Sequence, residues 1–149
     1  MNHLVDTHAH LNFPAYDKDR EEVVRRTLDK GVVAINVGTN LQTSRHAVDI
    51  AKSHPGMFAA VGLHPINLDT GLIRMKRDPD EGSSFEKEFD YNKYKELAQE
   101  PGVVAVGETG LDYYWRPKTK AKKELFKHKQ KEIFSCQLKL AGELGLPVI

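Results

Sequence analysis

His8 and His10 stand two residues apart near the start of the chain, after Val5-Asp6-Thr7. In extended backbone, residues i and i+2 point to the same side, so both imidazoles can face one metal ion. A bare His-x-His is more often a pair of ordinary strand-end histidines. Its position at the end of an apolar strand favours the ligand reading here. Glu108 follows the apolar run Val103–Val106 and Gly107. A carboxylate directly after a buried strand is costly unless it is paired or metal-bound. Gly107 and Gly110 let the backbone turn closely around it. A Glu that simply reaches solvent is the weaker alternative. His64 precedes Pro65 and is biased toward extended geometry. It reads either as support or phosphate contact for such a site or as a structural residue. Asp112 either orients the site or makes a turn or helix cap.

The remaining candidates are plainer. His54 sits near a predicted helix C-terminus, where the dipole explains it. His3, His46 and His128 have no companions in sequence. The lysines between Lys118 and Lys131 read as a solvated helix face rather than a phosphate-facing patch. Cys136, the single cysteine, excludes an intrachain disulfide and reads as a buried thiol within a helix.

These residues are positioned by alternating strands and helices. Residues 4–7 predict a strand. Asp19-Arg-Glu-Glu22 predicts an N-cap with Glu three residues later, opening a helix that Gly31 ends. Val32–Val37 is a nearly continuous apolar run, as in a strand buried on both faces. Ala47, Val48 and Ala51 mark a helix stopped by Pro55-Gly56, and Met57–Val61 predicts the third strand. Residues 66–90 break the rhythm with a polar, charged stretch that predicts a long, mobile surface loop. Residues 91–99 predict a short helix and Val103–Val106 a fourth strand. Phe126, Ile133, Phe134, Gln137, Leu138, Ala141 and Leu144 trace one face of a long helix ending at Gly145. Leu146-Pro147-Val148-Ile149 reads as the start of a fifth strand. The pattern is α/β: four βα units and a stub, in a parallel sheet with right-handed crossovers. A complete (β/α) barrel takes roughly 250 residues, so this chain is expected to form a half-barrel, one domain over 1–149. In such a barrel the strand ends form the functional face, where His8, His10, His64 and Glu108 all fall.

Composition narrows the function classes. The 149 residues are enough for one domain with a hydrophobic core. The formal net charge of +1 gives no broad electrostatic attraction to nucleic acid or anionic membrane, so a nucleic-acid substrate needs a local site. No basic-then-apolar leader and no run approaching ~20 apolar residues is present, and a cytoplasmic protein is expected.

Three motifs in order carry a family resemblance: Val5-Asp6-Thr7-His8-Ala9-His10-Leu11, Gly62-Leu63-His64-Pro65, and Gly107-Glu108-Thr109-Gly110-Leu111-Asp112-Tyr113-Tyr114. They resemble signatures of the TatD family of metal-dependent hydrolases. Gln137-Leu138, Ala141 and the run from Glu143 to Ile149 resemble the approach to a fourth. The resemblance implies a TIM-type (β/α) barrel and a deoxyribonuclease-like hydrolase of phosphodiester bonds with two divalent ions, whether zinc, manganese or magnesium. It implies that His8 and His10 bind one ion, that Glu108 binds or bridges both, and that His64 and Asp112 serve the catalytic site. It also implies further ligands, two histidines and an aspartate, from later strands, beginning just past Ile149. The chain alone is therefore expected to bind metal weakly and to cleave DNA poorly. Two alternatives are weighed against this. One is a non-catalytic half-barrel that pairs with itself or with a complementing second half through its open edges. The other is an amidohydrolase-type enzyme acting on amides or lactones, which the Gly-Glu-Thr-Gly-Leu-Asp run disfavours.

Overall fold

A computed structural model of the chain describes residues 4–73, 79–82 and 85–149. Four strands, β1 (Leu4–Ala9), β2 (Val32–Val37), β3 (Met57–Val61) and β4 (Val103–Val106), form one parallel sheet in the order β1-β2-β3-β4. The crossovers carry the helices α1 (Arg20–Asp29), α2 (Leu41–Ser53) and α3 (Tyr91–Ala98), and α4 (Lys120–Leu144) follows β4. Val148 adds an isolated parallel bridge to Val106, where a fifth strand was expected.

Side-chain alternation sorts the two faces of the sheet. Ala59 and Val61 pack with Ala47, Val48, Tyr94 and Leu140, which come from α2, α3 and α4. Ala34 packs with Val24 of α1 and Ile50 of α2. On the opposite face Val37, Ala60 and Ala105 form a small cluster with Ile35 and Ile149. All four helices thus cover one face, the arrangement of a partial (β/α) barrel. Leu4 and Val5 of the edge strand β1 stay 69% and 58% exposed.

Local chemistry departs from the predicted elements in three places. Asp19 stands at the α1 N-cap but its side chain makes no capping bond; Glu21 and Glu22 in the first turn favour the helix dipole instead. Helix α2 opens at Leu41, well before the stripe marked by Ala47, Val48 and Ala51, because Asn40 and Thr43 form a reciprocal capping box. The buried face of α4 runs Phe126, Gln130, Gln137, Leu140 and Ala141, while Leu138 is exposed. Two of those buried positions are glutamines: Gln137 lies on the predicted face, which omits Gln130.

The 66–90 excursion is tied down where it is described. Pro65–Asn67 makes a 3-10 turn, Leu68 bridges Glu86, and Leu68 and Phe89 are buried. Buried Glu81 accepts hydrogen bonds from Thr39 Oγ1 and Asn67 Nδ2. The expectation of mobility also covers residues 74–78 and 83–84, which lie outside the described residues.

Glu86 Oε1 accepts from the Leu41 N–H at the start of α2 (2.6 Å) and from the Tyr94 hydroxyl (2.9 Å). Burial nevertheless outweighs these donors and raises its pKa above the ordinary 4.5. The folded chain therefore holds this proton to higher pH than the unfolded chain. The stability it contributes is present below 4.5 and is lost as the pH rises through the folded value. Glu86→Gln keeps the accepting oxygen and cannot ionise. Its urea midpoint should rise relative to wild type as the pH increases from about 4 to 7. A midpoint difference independent of pH would contradict this account.

Candidate functional site

Histidines from the ends of β1 and β3 converge on one carboxylate at the end of β4. His8 lies within β1, at an irregularity in the β1–β2 pairing between Asp6 and Ala9, and its N–H donates to Asp6 Oδ1 at 3.0 Å. Its Nε2 stands 3.3 Å from Glu108 Oε2, and His10 Nε2 stands 3.8 Å from the same oxygen. His64 Nε2 lies 3.5 Å from the other oxygen, Oε1. Ligand atoms of His8, His10 and Glu108 all lie within 4.8 Å of one another. In a flat sheet β1 and β4 would be three spacings apart, ~14 Å, so their meeting requires the sheet to curl.

The backbone sorts the histidines into opposite tautomers. His10 Nδ1 is 2.9 Å from the Val37 carbonyl, which can only accept. Its proton is therefore on Nδ1, and in the neutral ring Nε2 presents a lone pair toward Glu108. His64 does the reverse. Its Nδ1 accepts the Ile66 N–H at 3.1 Å, so the neutral ring carries its proton on Nε2, toward Glu108. One imidazole is set to ligate and the other to donate. Phe13 stacks on His10 at 4.3 Å and 18°, and Asn12 Nδ2 donates to the same Val37 carbonyl at 3.1 Å.

Glu108 is held by its own main chain. Its N–H donates to the Gly38 carbonyl at 2.6 Å, and the Gly107 N–H donates to the Val61 carbonyl at 2.9 Å. The Gly107–Glu108 peptide is cis. Gly62 lies so close to Gly107 that a Cβ on it would meet the Gly107 carbonyl carbon at 2.6 Å. Only glycine permits this approach of the β3 and β4 ends.

Two buried glutamines of α4, seven residues apart and so on one helix face, brace these connections. Gln137 Oε1 accepts from the Leu63 N–H at 2.8 Å, and its Nε2 donates to the Leu63 carbonyl at 2.9 Å. Gln130 does the same to Asp112, at 2.9 and 2.7 Å. Each side-chain amide pairs with one backbone unit as a strand neighbour would. Gln137 thereby holds the residue before His64, and Gln130 holds the loop that leaves Glu108. Asp112 Oδ1 accepts from the Tyr114 N–H at 2.8 Å, a turn within that loop.

The structure thus brings His8, His10, His64 and Glu108 together, and it places Asp112 on the flanking turn. Sequence reasoning missed Gln130, Asn12 and Phe13 as their supports. A pair of glutamines two helical turns apart inside an apolar stripe was the available signal for Gln130. Lys127 Nζ lies 5.7 Å from the Tyr113 ring centre and Lys129 Nζ donates to the Thr70 carbonyl at 2.9 Å, so part of the lysine face is engaged. Among the described residues no helix is long and apolar enough to cross a membrane.

Known proteins resemble this chain over nearly all of its length. A metal-dependent hydrolase of uncharacterised function, YabD of Bacillus subtilis (strain 168), is 37% identical over 147 residues, covering 98% of this chain and 49% of the relative. The 3'-5' ssDNA/RNA exonuclease TatD of Pantoea sp. (strain At-9b) is 34% identical over 148 residues, covering 97% of this chain and 48% of the relative. The crystal structure of YJJV, a TatD homolog from Escherichia coli K12, superposes with a TM-score of 0.69 at 27% identity, over 97% of this chain and 49% of that one. The chain spans about half the length of the relatives it matches. The family model described as TatD related DNase matches residues 5–149, and the chain belongs to that family.

Proposed function

We propose that His8 and His10, each through Nε2, and Glu108 hold a divalent metal ion in a site that hydrolyses phosphodiester bonds of nucleic acid. The observation that carries this reading is the set of three ligand atoms within 4.8 Å of one another on the strand-end rim. The donor set fits: the Val37 carbonyl fixes the proton of the neutral His10 ring on Nδ1, so that Nε2 offers its lone pair for ligation. Two imidazoles and a carboxylate suit zinc or manganese better than magnesium. A bound ion would supply Lewis acidity toward a phosphoryl oxygen and lower the pKa of a bound water. His64 takes a different part. With Nδ1 occupied by the Ile66 N–H, it donates from Nε2, steadying Glu108 or a phosphate oxygen of the substrate. Asp112 and Gln130 keep the loop after Glu108 in place, so Asp112 acts as a positioning residue.

Calorimetric titration of this chain with zinc and with manganese should show one weak binding event, since three protein ligands leave an open site. The His8→Ala, His10→Ala double variant should abolish it. His64→Ala should keep most of it, because its Nε2 carries a proton. Unchanged binding by the double variant would overturn the ligand assignment. Cleavage of single- and double-stranded oligonucleotides with manganese, beside a Glu108→Ala control, tests the reaction. Robust cleavage by both wild type and Glu108→Ala would remove Glu108 from the chemistry.

A further inference from the structure

We propose that a groove on the same rim seats a segment of single-stranded nucleic acid. The groove has a volume of about 540 Å³. One wall is Leu72 and Ile73, from the connection after β3; the other is Trp115, Arg116, Lys118 and Lys122, from the connection after β4 and the first turn of α4. These are the two connections that carry His64 and Glu108. Because β3 and β4 are neighbours in a parallel sheet, both connections leave the same end of it, the end after which His64 and Glu108 stand.

Its chemistry is selective. Trp115 is 42% exposed and Tyr114 beside it is 80% exposed, with the two rings edge to face at 5.1 Å and 86°. An exposed indole beside an apolar wall offers a stacking surface to a flat, unpaired base. Among the described residues three cations line the groove and no acidic residue does. None of Arg116, Lys118 and Lys122 takes part in an ion pair between described residues. A second groove shows the contrast: there Arg45, Lys87 and Lys93 are offset by Glu86, Glu88 and Asp90. Aromatic stacking together with uncompensated cations is the combination that holds single strands, with phosphates on the cations and bases on the rings. A duplex keeps its base faces stacked internally and can use only the cations. Of the lysine run after Lys118, the two that line this groove therefore depart from a merely solvated face.

This inference rests on the nucleic-acid reading of the site, and its test separates the two. Trp115 is the single tryptophan, so its emission reports on the groove alone. Titrating the whole chain with oligothymidylate in EDTA should quench that emission, and the His8→Ala, His10→Ala variant should be quenched equally. Trp115→Ala should weaken binding of a labelled oligothymidylate, read by anisotropy, by about 5- to 100-fold, with Trp115→Phe restoring most of it. Lys118→Ala and Lys122→Ala should each lower the log–log salt slope by ~0.7. Absence of quenching, unchanged affinity for Trp115→Ala, or tighter binding of a duplex of equal length would each overturn the groove. None of these outcomes bears on metal binding, which the calorimetric titration decides separately.

Discussion

Gln137→Leu is expected to destabilise the chain by several kcal/mol, although leucine nearly matches the volume it replaces. Gln137 is 1% exposed and both of its amide groups are used on the main chain of Leu63. Leucine would leave a buried N–H and a buried carbonyl without partners, at ~1–3 kcal/mol each. Its own added apolar burial offsets only ~1–2 kcal/mol of that. Gln137→Glu restores the acceptor but sets a carboxylate against the Leu63 carbonyl, so it should do no better. Because His64 is the next residue, the Gln137→Leu imidazole should also lose its fixed tautomer, visible in the ring nitrogen shifts by NMR. A stability loss below ~0.5 kcal/mol, the usual scale of a surface change, would show that the amide pairing is not what holds this turn.

Gly62→Ala should have an effect of similar size and a more specific consequence. The added Cβ would lie 2.6 Å from the Gly107 carbonyl carbon and 2.8 Å from its oxygen. Both are backbone atoms, so no side chain can rotate away. The ends of β3 and β4 must separate, at a cost of ~1–3 kcal/mol, and Glu108 moves with Gly107. Gly102→Ala is the matched control. There φ is +88° and a Cβ would meet the Ala51 Cβ at 2.9 Å, at the opposite end of β4 from Glu108. Both variants should unfold at lower urea. Only Gly62→Ala should lose metal affinity when measured on the folded protein; equal losses would mean that the effect is stability alone.

Much of this architecture was legible in the residues, for identifiable reasons. Val32–Val37, Met57–Val61 and Val103–Val106 are short apolar runs bounded by glycine or proline, and the strands occupy those bounds. The meeting of His8, His10 and Glu108 followed from strand-end position once a curled parallel sheet was assumed. What escaped was carried by polar residues used inside the fold. Asn40 starts α2 ahead of the stripe read from Ala47, Val48 and Ala51, and Gln130 sits in the buried stripe of α4. Glu81 and Glu86, in a stretch that reads as merely charged, each meet specific donors. The opposite tautomers of His10 and His64 depend on which backbone group each ring meets, Val37 O or Ile66 N–H. No spacing rule encodes that.

The strand order β1-β2-β3-β4 also bears on how the molecule comes into being. Every strand pairs with its immediate predecessor, so the sheet can grow in the direction of synthesis, each βα unit docking on a finished edge. Such stepwise growth keeps the search local at every stage. The contact between His8 and Glu108 breaks this order, because it joins strands that are not neighbours and residues 100 apart. It cannot form until β4 has docked and the sheet has curled. The carboxylate–imidazole cluster is therefore a reporter of β4 docking: in a refolding experiment its histidine resonances should reach their native positions after the amides of β2 and β3 are already protected from exchange.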